Sequence, residues 1–159
     1  MLMALFDSDY AGDQDDRKST SRYVFILSGG AVAWSSKKQP VISFSTTKAE
    51  FICVAHCACQ AVWTRRMLER LDCKQGTPTV IHCDNMSTIK LTKNPVMHNI
   101  SNHIDVWFHF LCELCKEGVI ELKHCNSQDQ VADIMTKALK IDIFEKLRSL
   151  LSICMVLSG

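Results

Sequence analysis

The sequence carries almost no net charge: 18 Lys and Arg stand against 17 Asp and Glu, a formal +1 over 159 residues. Without a global field to draw polyanions, any nucleic-acid binding has to rest on local clusters such as Arg17-Lys18, Lys37-Lys38 and Arg65-Arg66. No apolar run approaches transmembrane length, and the stretch from Met1 to Phe6 has neither the charged flank nor the cleavage site of a secretory signal. Paired CxxC knuckles are missing as well. Cys112-x-x-Cys115 stands alone, so a structural zinc site is not expected, and nine cysteines, an odd number, fit reduced intracellular thiols better than a disulfide framework. Internal repeats and low-complexity stretches are also lacking. What remains is one soluble globular domain, long enough to bury roughly two-thirds of its unfolded surface.

Strand-like segments come first, at Met3 to Ser8, Tyr23 to Leu27, Ala31 to Ser35 and Val41 to Phe44, with a hairpin turn at Gly29-Gly30. The apolar period then lengthens. Phe51, Val54, Ala55, Ala58, Val62, Leu68 and Leu71 recur at three- and four-residue spacing, which predicts one amphipathic helix from Lys48 to Leu71. A buried-type strand follows at Thr79 to Cys83, then the polar turn Asp84-Asn85-Met86-Ser87 and a short helix to Lys93, broken by Asn94-Pro95. A helix from Asn102 to Lys116 ends near Gly118, Val119 to His124 alternates as a strand, and Asp129 to Leu139 and Asp142 to Leu151 read as closing helices.

Antiparallel strands first and crossover-linked strands later predict an α/β domain with a mixed central β-sheet flanked by α-helices. Residues 1–140 would form the body of the domain and 141–159 a helical extension of it. In such a sheet the carboxyl ends of neighbouring strands open on one crevice. Asp7 closes the first apolar strand and Asp84 the strand at Thr79 to Cys83, so both arrive there. Glu50 and Asp133 lie in helix-like segments, and the four acids together make a candidate site for a pair of hard cations. Asp9, two residues from Asp7, falls on the same side of the strand and is a weaker alternative to it.

Eight motifs in order resemble the ribonuclease H domain of copia-type retrotransposon Pol polyproteins: DSDYAGD (7–13), DDRKSTSRYVF (15–25), WSSKKQ (34–39), STTKAEF (45–51), CDN (83–85), KNPVMH (93–98), HIDV (103–106) and QVADIMTK (130–137). The resemblance implies a ribonuclease H-like fold and hydrolysis of the RNA strand of RNA/DNA hybrids in reverse transcription. Asp7, Glu50, Asp84 and Asp133 match the four catalytic carboxylates and imply two Mg²⁺ ions, with Mn²⁺ an alternative. In the family pattern Asp7 bridges the ions, Glu50 and Asp84 hold the one on the leaving side, and Asp133 the one that activates water. Phosphodiester hydrolysis needs a hydroxide near neutral pH and a counter-charge on the phosphate, and two ions about 3.5–4 Å apart provide both.

Around those acids, Ser45, Thr46, Thr47 and Asn85 are candidates for contacts to the hybrid's 2′-hydroxyls, and Lys37 and Lys38 for contacts to its backbone. Each has a structural reading too: Thr47-x-x-Glu50 is a capping box, Asp84-Asn85 is cap chemistry, and Trp34 is expected in the core rather than at a substrate-contacting edge. His98, His103 and His124 are expected to be structural. The resemblance also implies a reverse transcriptase domain as partner in the intact polyprotein and a cytoplasmic, particle-associated location. Some family features are missing. Arg22 stands where the family has Gly, Ile100 and Asn102 replace basic residues, and Trp107 and Cys112 occupy positions often held by Arg. These losses sustain an alternative, a catalytically silent fragment or binding module that keeps the fold.

Overall fold

A computed structural model describes residues 1–93, 102–135 and 138–152, with the backbone alone at 102–105. Strands β1 (Leu2–Asp9), β2 (Thr20–Leu27) and β3 (Gly30–Lys38) come first, then helix α1 (Thr46–Arg70), β4 (Thr79–Cys83), α2 (Met86–Lys93), α3 (Asn102–Lys116), β5 (Ile120–His124) and α4 (Ile141–Leu150). One five-stranded sheet has the order β3-β2-β1-β4-β5. β1, β2 and β3 pair antiparallel, whereas β1 with β4 and β4 with β5 pair parallel, giving the expected mixed sheet. The expected break at Asn94-Pro95, His98 and the side chain of His103 lie outside the described residues.

Alternation along the strands sorts their side chains onto two faces. Leu2, Ala4 and Phe6 of β1, with Phe25 of β2 and Ile81 of β4, meet the buried stripe of α1 (Phe51, Val54, Ala58) and Phe108 and Leu111 of α3. Leu5, Val24 and Ile26 face the other way, under Val131, Leu147 and Leu151. The 3.6-residue spacing in α1 is what buries Ala49, Cys53, Cys57 and Ala61 on the sheet side, and their small size lets the helix lie close. Gly118 ends α3 with φ +68°, the left-handed conformation its missing Cβ permits, while the Val119 N–H reaches back to the Leu114 carbonyl at 2.9 Å.

Four expectations need correction. Val41 to Phe44 is not a strand: Pro40 precedes it, Val41, Ile42 and Phe44 are exposed, and the buried member is Ser43, whose hydroxyl donates to Gln39. Its apolar residues therefore signal no sheet face. The hairpin turn falls on Ser28-Gly29, both at positive φ as a two-residue turn between twisted strands requires, one residue before the expected pair. The described part of Asp129 to Leu139 is not one helix: 3-10 turns Ser127–Asp129 and Val131–Met135 are separated by Gln130, whose extended backbone (ψ 91°) interrupts a helix. Trp34 is 66% exposed on the edge strand β3 rather than in the core.

Candidate active site

The parallel register of β1 and β4, Leu5 opposite His82, carries the residues that follow to the same end of the sheet. Asp7 lies two positions beyond Leu5, and Asp84 directly follows β4. α1 crosses behind this end: the Cys53 thiol donates to the Asp7 carbonyl at 3.2 Å and lies 3.4 Å from the Arg22 carbonyl. Glu50, three residues earlier on α1, is thereby brought to the crevice.

Ser45, not Thr47, caps α1. Its hydroxyl accepts from the Lys48 N–H at 3.2 Å, so the proposed Thr47-Glu50 capping box does not form and Glu50 is left available to the site. Glu50 Oε2 instead accepts from the hydroxyl of Thr88, a fully buried residue of α2, at 3.1 Å. Burial pushes the Glu50 carboxyl above its ordinary range. A hydrogen bond from Asn85 opposes this, the charge of Asp84 adds to it, the Thr88 bond opposes it and the charge of Asp7 adds. Asp84 Oδ2 accepts from the Ser127 hydroxyl at 3.5 Å.

Glu50, Cys83 and Asp84 each offer a ligand atom within 4.8 Å of the others. Burial pushes the Cys83 thiol far up, and Glu50 and Asp84 supply the carboxylate donors. Two carboxylates are hard oxygen donors and suit Mg²⁺ or Mn²⁺ rather than a thiophilic ion. Asp7 and Asp133 do not join this close set among the described residues. Asp133 is half-buried on the turn Val131–Met135. Asp84, Asp129 and Asp133 all act on Cys125, whose thiol is pushed up to about 11 by burial first, then by their charges. Asp7 is 6% exposed, and its Oδ2 accepts from Arg22 Nη1 at 3.5 Å, while Arg22 Nη2 reaches Asp9 Oδ2 at 3.4 Å.

The other candidates divide. Thr46 is exposed and Thr47 half-buried at the start of α1, near Ser45. Asn85 accepts from the Ser87 N–H at 2.8 Å and so caps α2 as well as bonding Glu50. Lys37 is exposed, bordering a hollow with Tyr23, His56, Gln60 and Trp63. Lys38 is engaged by Asp13 and Asp16. His124 is exposed at the end of β5, beside a separate hollow of about 740 Å³ on the sheet face away from α1 that also contains His82 and Asp129.

Two buried amides support the site that sequence reasoning passed over. Gln39 Nε2 donates to the Ala49 carbonyl at 2.7 Å and to Ser21 Oγ at 2.8 Å, tying the first turns of α1 to β2 beside Glu50. Gln130 Nε2 donates to the Phe6 carbonyl at 2.7 Å, joining the Asp133 turn to β1 next to Asp7. A glutamine after a strand or between turns carries no signal of burial by itself; only its place in the motifs WSSKKQ and QVADIMTK hinted at a role.

No family model matches the chain. It is 35% identical over 150 residues, 94% of its length, to a retrovirus-related Pol polyprotein from transposon TNT 1-94 of Nicotiana tabacum. It is also 36% identical over 155 residues, 98% of its length, to that of transposon RE1 of Arabidopsis thaliana. The chain spans 11% of the length of each of these curated relatives. Among solved structures, LC11-RNase H1 in complex with an RNA/DNA hybrid superposes with a TM-score of 0.58 at 10% identity, over 82% of this chain and 88% of that one. RNase H1 from Halobacterium salinarum gives 0.57 at 12% identity, over 82% and 89%. Prototype foamy virus protease-reverse transcriptase gives 0.57 at 10% identity, over 98% of this chain and 21% of that one.

Proposed function

Because the chain is a homologue of plant copia-type retrotransposon Pol polyproteins with a ribonuclease H fold, we propose that it hydrolyses the RNA strand of RNA/DNA hybrids in a divalent-metal-dependent reaction of reverse transcription. The observation that carries this reading is the approach of Glu50 and Asp84, from a helix and a strand end far apart in sequence, to within 4.8 Å on a common crevice. On this reading Glu50 and Asp84 would hold Mg²⁺ on the leaving side, where it would supply counter-charge for the phosphate, and Asp133 would hold the ion that activates water. Asp7 and Asp133 complete the carboxylate set.

The chain's own residues orient these groups. Thr88 and Asn85 fix the Glu50 carboxylate from α2 and its cap, and Ser127 fixes Asp84. Ser45, Thr46, Thr47 and Asn85 border the crevice where 2′-hydroxyls of a hybrid would lie, and Lys37 offers a cation to its backbone. Lys38 contributes less, since Asp13 and Asp16 already neutralise it. In the intact polyprotein a reverse transcriptase domain would deliver the hybrid, and the work would take place in a cytoplasmic particle. Among the described residues no helix is long and apolar enough to cross a membrane.

The test is cleavage of end-labelled RNA in a hybrid duplex at low salt with Mg²⁺ or Mn²⁺, beside Asp84→Asn. Metal-dependent cutting that the variant loses supports the enzyme. A folded protein that binds the hybrid without cutting it supports the second reading, a silent relic or binding module, which the ion pair of Asp7 with Arg22 favours.

A further inference from the structure

We propose that Arg22 is a built-in cation that holds Asp7 in place of a divalent ion, so that this chain takes one such ion, at Glu50 and Asp84, where the proposed chemistry calls for two. The proposal rests on the metal-dependent reading above and changes its stoichiometry. Asp7 and Arg22 are cross-strand neighbours in the β1/β2 register and share a face of the sheet. The guanidinium lies between two carboxylates, Nη1 at 3.5 Å from Asp7 Oδ2 and Nη2 at 3.4 Å from Asp9 Oδ2. Both Arg22 and Asp7 side chains are sequestered, at 7% and 8% exposure.

The arrangement is built rather than incidental. Glycine at residue 12 leaves room for the Asp9 carboxylate where it stands, since a Cβ there would lie 1.9 Å from Asp9 Oδ2. The guanidinium is also held against a local cost, since its buried Nε–H finds no hydrogen-bond partner among the described residues. What keeps it there is the charge of the two acids, and the contacts are long single ones rather than a close bidentate fork. An ion that needed an Asp7 oxygen would have to displace this charge or share the carboxylate with it in a poorly hydrated place, where like charges repel strongly. Among the described residues no cation pairs with Glu50 or Asp84: Glu50 meets the Thr88 hydroxyl and the Asn85 amide, and Asp84 the Ser127 hydroxyl. One ion there is favoured and a second at Asp7 is opposed.

Counting Mn²⁺ on the native protein by titration calorimetry and electron paramagnetic resonance tests this without any substitution: one ion per chain is expected, and two would overturn the proposal. The variants Arg22→Ala and Arg22→Lys, checked for folding by circular dichroism, extend it. Arg22→Ala should gain a second ion or bind the first at least about tenfold more tightly, about 1.4 kcal/mol, whereas Arg22→Lys, which keeps the charge, should bind as the native chain does. Equal isotherms for native and Arg22→Ala protein, or no binding by either, would also overturn it. Hybrid cleavage separates the two claims. If Arg22→Ala gains an ion but does not cut, the nuclease reading fails and the role of Arg22 stands. Cutting by both proteins with the same metal dependence would instead leave the nuclease and remove the role of Arg22.

Discussion

Truncating Gln39 to alanine is expected to destabilise the fold by about 3–4 kcal/mol, from three hydrogen bonds worth about 1 kcal/mol each and a small cavity. The residue is 1% exposed, at the point where the chain leaves β3 for α1. Its amide nitrogen serves the Ala49 carbonyl and the Ser21 hydroxyl, and its Oε1 accepts from the Ser43 hydroxyl at 3.1 Å. Alanine leaves those three groups with one partner fewer in a dry place. For a domain of this length 1 kcal/mol corresponds to roughly 2–4 °C, so the thermal midpoint should fall by roughly 6–16 °C. Gln39→Met fills most of the volume without the bonds, so it should recover only the cavity part and remain about 3 kcal/mol below the native chain. Circular dichroism melts and urea unfolding measure both. A loss under about 1 kcal/mol for Gln39→Ala would show that α1 is held to β2 by apolar packing alone and would refute the latch. Since Ala49 precedes Glu50, the same variant should also bind Mn²⁺ more weakly at temperatures where it is still folded.

Two further predictions concern ionisation and access. The Lys38 hydrogen bond, followed by those from the backbone of Asp16 and Asp15, lowers the Asp13 carboxyl from 3.8 to about 2. A depressed carboxylate stabilises the fold above its unfolded value, so this contribution is full above pH 3.8 and disappears as the pH falls toward 2. Asp13→Asn should flatten that part of a stability–pH profile, and an unchanged acid limb would count against the pair. Burial pushes the Cys53 thiol up to about 12 and that of Cys57 well up too, whereas Cys73 is exposed. Iodoacetamide at pH 8 followed by peptide mapping should mark Cys73 in the native protein and Cys53 and Cys57 only after unfolding. Native labelling of Cys53 would mean that α1 does not pack on the sheet as described.

The long period of α1, the apolar run at Thr79 to Cys83 and the alternation of β5 were legible in the sequence because each is a local pattern imposed by one buried face. The motifs likewise identified Asp7, Glu50, Asp84 and Asp133 as the acids to examine, and implied the fold that the sheet order confirms. Val41 to Phe44 misled because hydrophobicity reports only a wish to be buried, and an irregular connection can leave such residues exposed when a polar neighbour, Ser43, takes the inner place. Asp129 to Leu139 misled because Gln130 answers to the Phe6 carbonyl 124 positions away, a bond no local period records. The sequence alone thus determined most of the helices and strands and named the acids to examine. Only the tertiary structure decided which acids stand together, that Glu50 and Asp84 converge while Asp7 is taken by Arg22, because hydrogen bonds and ion pairs between remote residues depend on strand register and helix placement, which exist only once the chain is folded.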